Sequence, residues 1–127
     1  GAVHGFAAPL GGRFPAPHGA ICAALLPHVM SANLAALRAR EPDHPALRRY
    51  DELGRLLTGR PQAAADDAVV WVRELCRTLR IRPLARFGLT RDHFAAIVEA
   101  SGRASSMKAN PIALTPAELG EVLAAAL

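Results

Sequence analysis

Apolar residues recur at three- and four-residue spacing along nearly the whole chain, and no stretch alternates apolar with polar residues long enough to form a strand. A helix turns once every ~3.6 residues and so gathers such side chains onto one face, whereas a strand needs a period of two. The pattern therefore predicts an all-α fold, a multi-helix bundle in which residues 1–127 form a single helical domain. Gly and Pro cut the periodic run into five or six pieces.

The first predicted helix, around Ala2 to Leu10, ends at Gly11-Gly12, a pair suited to helix termination and a tight turn. Pro15 and Pro17 hold the following loop extended, and His18-Gly19 opens a long helix through Ile21, Leu25, Leu26, Val29, Met30, Leu34 and Leu37, with a kink expected at Pro27. Glu41-Pro42 closes it. Asp43 is the expected N-cap of a helix through Leu47, Tyr50, Leu53 and Leu57, broken by Gly59 and Pro61. From Asp66 to Leu79, a stripe of Val69, Val72, Leu75, Cys76 and Leu79 reads as core. Thr90 caps a helix through Phe94, Ile97 and Val98, and Thr115-Pro116-Ala117-Glu118 combines an N-cap, a first-turn Pro and a capping-box acid.

A chain of 127 residues with 51% hydrophobic and 20% charged side chains buries a core without disulfides. Cys22 and Cys76 lie in apolar helical patterns outside any Cys-x-x-Cys spacing, so they are expected to be buried free thiols of a reducing, cytoplasmic compartment. No apolar run approaches the roughly 18 residues of a membrane span, which predicts a soluble domain with no membrane partner. Fourteen of the fifteen basic residues are Arg, scattered from Arg13 to Arg103, with one Tyr and one Trp to stack on bases. That is a solvated surface, and nucleic acid is not an expected partner.

The chemistry concentrates at the N-terminal end. His4 and His18 bracket the Pro- and Gly-rich turn, and a turn between two helices can bring two distant imidazoles onto one ion. A lone His on an apolar helix is more often a satisfied core residue than a ligand, and His28, His44 and His93 keep that blander reading or a surface role. Spacing alone leaves His4 and His18 open between the two. The pairs Asp66-Asp67 and Asp51-Glu52 are not catalytic dyads: adjacent helical residues point apart, and both are expected at helix beginnings, where acids suit the macrodipole.

The run PLGGRFPAPHGAICAALLPHVMSAN, with His4 ahead of it, resembles the C-terminal helical domain of the iron-containing (group III) alcohol dehydrogenases, and the segment SSMKANPIALTPAEL resembles their Asn-Pro region before the last helix. The resemblance covers essentially the whole chain. It extends more weakly to the related maleylacetate reductases, glycerol dehydrogenase and dehydroquinate synthase. It implies a metal, Fe(II) or Zn(II), held by an Asp and three His, of which His4 and His18 are two; the others would lie upstream of Gly1. It implies hydride transfer between an alcohol or aldehyde and NAD or NADP, a separate N-terminal nucleotide-binding domain, and a dimeric parent protein. No GxGxxG turn follows a strand here, so no nucleotide-binding or acid–base catalytic residue is assigned.

On this reading the chain is truncated at its N-terminus and inactive by itself, because half the site is missing. The position one turn after the first ligand, a further His in many members, is Ala8 here. The Ser105–Pro111 loop aligns with a segment approaching substrate, which makes Ser106 and Lys108 candidate substrate contacts, with an anionic group as the target of Lys108. Phe6 and Phe14 flank the histidines as candidate cavity walls, against the plainer reading that they are core. Asn110 is expected to order its turn through local backbone hydrogen bonds. Two alternatives stand beside the dehydrogenase: a maleylacetate-reductase-like enzyme, and a non-catalytic helical module for binding or oligomerisation.

Overall fold

The computed structural model describes all residues 1–127 and contains helices and turns only. Six α-helices follow in order: α1 (Ala2–Gly11), α2 (His18–Arg40), α3 (Pro45–Thr58), α4 (Ala65–Thr78), α5 (Phe94–Arg103) and α6 (Pro116–Ala125). Three short 3-10 turns, Leu84–Phe87, Arg91–His93 and Ser105–Ala109, link the later ones. The all-helical bundle expected from periodicity is the observed fold.

Helix α2 is its axis. The first half of α2 (Ile21, Ala24, Leu25, Val29) joins Phe6 and Leu10 of α1, Ile97 of α5 and Leu119, Val122 and Leu123 of α6 in the main core. The second half turns Met30 and Leu34 against Ala65, Ala68, Val69 and Val72 of α4, and Ala36 and Leu37 pack on Ile112. A helix covered from several sides is apolar all round, and α2 is 23 residues long. By length and composition it matches a membrane span, contrary to the expectation from apolar runs, but over half of its apolar window is buried inside this fold. It is a core helix.

Pro27 sits within α2 and leaves the carbonyl of Ala23 without its helical N–H partner. The Cys76 thiol of α4 donates to that oxygen at 3.6 Å, and Ser31 Oγ donates to the Pro27 carbonyl at 3.0 Å. The break in the ladder is thus used to join α2 to α4.

The caps differ from expectation in two places: Thr90 is the N-cap of the 3-10 turn Arg91–His93 and His93 that of α5, and the start of α3 is also shifted. His44, not Asp43, is the N-cap of α3, with Nδ1 accepting the Ala46 N–H at 3.1 Å. The Thr115–Glu118 box forms as expected, with reciprocal bonds of 3.2 and 2.7 Å. Asp67 accepts the Ala64 N–H at 2.9 Å at the start of α4. Asp51 lies in the middle of α3 and not at a helix start, yet it serves one: its Oδ1 accepts the Ala65 N–H of α4 at 2.9 Å. Gly54 permits that approach, since a Cβ there would meet the Ala64 carbonyl oxygen at 2.2 Å.

The stripe on α4 is only partly core. Val69 and Val72 are buried and Cys76 reaches α2, whereas Leu75, Leu79 and Trp71 are 39%, 62% and 37% exposed. Cys22 and Cys76 are free but half-buried, less enclosed than expected.

Candidate metal centre

The site begins with a hairpin of two helices. Helix α1 ends at Gly11, the loop Gly12–Pro17 reverses the chain, and α2 starts at His18. The N–H groups of Arg13 and Phe14 both donate to the Leu10 carbonyl, at 3.1 and 2.9 Å, which tightens the exit from α1. Pro17 supplies the extended residue before α2 (φ −59°, ψ 138°). Gly12 lies in the right-handed region (φ −76°), so the turn owes nothing to a left-handed glycine.

This hairpin places His4, in the first turn of α1, against His18, the first residue of α2. Their ring centroids are 5.4 Å apart with planes inclined by 39°. Both side chains are exposed, as is Ala8 one turn further along α1. Apolar residues of the same helices, Phe6, Leu10 and Ile21, anchor the pair in the main core from below.

A third donor stands beside them. Cys22 follows His18 by one helical turn on the same face of α2, and its Sγ lies 3.5 Å from His18 Nε2. One donor atom from each of His4, His18 and Cys22 falls within 4.8 Å of the other two. Burial pushes the Cys22 thiol above its ordinary range, so without a cation it is a neutral S–H. Two imidazole nitrogens and a sulfur converging from one side suit a borderline-soft divalent ion such as Zn(II) or Fe(II). The donor set fits the metal that the sequence implied, and Cys22 was missed: its four-residue spacing from His18 was the available signal, masked by the apolar pattern around it.

The substrate candidates are more dispersed. Phe6 is fully buried in the main core and lines no open cavity, a correction to its assignment as a wall. Phe14 is half-buried, its ring edge-on to His93 at 5.1 Å. Ser106 (half-buried) and Lys108 (exposed) sit on the 3-10 turn Ser105–Ala109, which packs along α1 with Met107 against Gly5. Lys108 borders a surface pocket of about 270 Å³ with Met107, Asn110 and Leu114, a pocket that includes neither histidine. Asn110 does order its turn, donating to the Ile112 carbonyl at 2.8 Å, and it also accepts the Ala2 N–H of α1 at 3.0 Å.

The chain belongs to the Fe-containing alcohol dehydrogenase family, matching its C-terminal region over residues 1–127. It is 29% identical over 124 residues to alcohol dehydrogenase 4 of Saccharomyces cerevisiae, covering 97% of this chain and 30% of that protein. The fold is shared with a 1,3-propanediol oxidoreductase (TM-score 0.80, 24% identity, 100% of this chain and 32% of the other). It is shared also with the iron-containing alcohol dehydrogenase of Thermococcus thioreducens (TM-score 0.74, 24% identity, 98% and 31%). The chain spans about 30% of the length of the curated relatives it matches.

Proposed function

We propose that this chain is the metal-binding helical part of an enzyme that transfers a hydride between an alcohol or aldehyde and NAD(P). The observation that carries the reading is the apposition of His4 and His18 at 5.4 Å across the α1–α2 turn, at the positions the family resemblance assigns to ligands. When bound, a divalent ion supplies Lewis-acid polarisation of the substrate oxygen, while the nicotinamide carries the redox equivalent.

The chain's own contribution is positional. The core beneath α1 and α2 fixes the two imidazoles, and their exposed rings face outward to where further ligands and a nucleotide-binding domain would dock. Ala8 offers no proton-relaying group one turn from His4, so water or a group outside this chain would carry that proton. Lys108 borders a pocket separate from the histidines, and its position gives no support to a dicarboxylate substrate.

Calorimetric titration of the metal-free chain with Zn(II), and with Fe(II) under anaerobic conditions, tests the site. Binding that is lost in both His4→Ala and His18→Ala supports one ion between the two rings; binding that survives either change overturns the assignment.

A further inference from the structure

We propose that Cys22 is a third ligand to the ion held by His4 and His18, making a His-His-Cys donor set within this chain. The inference rests on the reading of the two histidines as ligands and adds to it a thiolate that biases the site toward softer metals.

The geometry of the three side chains approximates part of a coordination polyhedron. For a tetrahedral centre with metal–nitrogen bonds of ~2.05 Å and a metal–sulfur bond of ~2.3 Å, the nitrogen–sulfur edge is ~3.6 Å and the nitrogen–nitrogen edge ~3.3 Å. The Cys22 Sγ–His18 Nε2 separation of 3.5 Å matches the first of these. The widest separation in the trio, 4.8 Å at most, exceeds an ideal edge by no more than about 1.2–1.5 Å. His4 is exposed, so its ring has room to turn toward the other two donors. A contact of 3.5 Å also fits a weak S–H···N hydrogen bond, and the two roles are consistent: the thiol rests on His18 and exchanges its proton for a metal.

The balance is simple. Cys22 Sγ–H gives its proton to solvent, and the resulting thiolate, with one lone pair from each imidazole, binds the ion. The formal charge of a divalent centre falls by one and no oxidant or reductant takes part. Thiolate donors favour Zn(II) and Co(II) over Fe(II) relative to an all-imidazole and carboxylate site, so Cys22 acts as a determinant of metal choice. Cys76 serves as an internal control, because its thiol points to the Ala23 carbonyl on the α4 side of α2.

Co(II) reports the difference directly, since a bound thiolate gives a sulfur-to-cobalt charge-transfer band in the near ultraviolet and imidazoles alone do not. The metal-free 127-residue chain is titrated anaerobically with Co(II), alongside Cys22→Ser, Cys76→Ser, His4→Ala and His18→Ala, with circular dichroism to verify the fold. The expected result is a charge-transfer band present in the parent and in Cys76→Ser but absent in Cys22→Ser, which binds Co(II) at least tenfold more weakly. The preference for Zn(II) over Fe(II) in competition also falls in Cys22→Ser. Co(II) binding that needs both histidines but shows no charge-transfer band, or a band that persists in Cys22→Ser, overturns the ligand role of Cys22 and leaves the histidine site standing. No binding, or binding that survives both histidine changes, overturns the site itself and the inference with it.

Discussion

Asn33 and Asn110 exchange a reciprocal pair of amide hydrogen bonds across 77 residues: Asn110 Nδ2 donates to Asn33 Oδ1 at 2.6 Å, and Asn33 Nδ2 donates to Asn110 Oδ1 at 3.3 Å. Asn33 is 3% exposed, in the middle of α2, and Asn110 Oδ1 also takes the N–H of Ala2 at the start of α1. One amide therefore ties together the two helices that carry His4 and His18.

Asn110→Ala removes that link and leaves the buried Asn33 amide short of partners. The expected loss is about 1–3 kcal/mol, the range for orphaning a buried polar group. The change also frees the first turn of α1, so metal affinity falls although no ligand is touched. Urea unfolding gives the first quantity and calorimetric titration with Zn(II) the second. The double variant Asn33→Ala/Asn110→Ala should cost less than the sum of the two single changes, because neither amide is then stranded.

Ser101 predicts the opposite sign. It is fully buried on α5, and its hydroxyl oxygen has no hydrogen-bond partner. Ser101→Ala deletes an unsatisfied group and adds no volume, so stability should rise, by about 1 kcal/mol. A lower unfolding midpoint in urea would contradict this.

Glycines on two helices should respond to the same substitution in opposite ways. At Gly54 a new Cβ would stand 2.2 Å from the backbone oxygen of Ala64, and backbone cannot rotate aside. Gly54→Ala should force α3 and α4 apart and cost about 1–3 kcal/mol, outweighing the better helix propensity of Ala. At Gly120, inside α6, nothing lies within 4 Å of the added carbon. Gly120→Ala should gain about 0.5–1 kcal/mol. Thermal unfolding of the two variants compares them directly.

These cases mark what can be read from a sequence and what cannot. The Thr115–Glu118 cap was legible because both partners lie within one turn. The pairing of His4 with His18 was legible through the family resemblance, and a short Gly- and Pro-rich turn leaves the chain little choice but to bring the helix ends together. The local bond of Asn110 to its own turn was also foreseeable. Its bonds to Ala2 and Asn33 were not, since they depend on how the 3-10 turn Ser105–Ala109 settles along α1. Leu75 and Leu79 show the converse: helical periodicity identifies an apolar stripe but not how much of its width the neighbouring helix covers. Cys22 combined both problems, an apolar context that reads as core and a four-residue step from His18 whose meaning appears only once His4 is beside it.

His28 gives a pH dependence of defined sign. It is half-buried on α2, and burial, followed by the nearby Arg73 of α4, holds its pKa below the ordinary value. Glu121 of α6 lines the same pocket of about 250 Å³, as does Arg73, and the shift is downward with that carboxylate present. In the unfolded chain His28 titrates near its ordinary pKa of about 6.5. As pH falls below that value, the unfolded chain takes up this proton before the folded one does, and the equilibrium moves toward unfolding. The contribution is fully present above ~6.5 and is lost as pH falls toward the lower folded pKa. His28→Gln abolishes this component. Urea midpoints measured at about pH 7.5 and about pH 5 should therefore fall further for the parent chain than for the variant, the carboxylates and exposed histidines being common to both. Equal drops would mean that His28 does not resist protonation in the folded state.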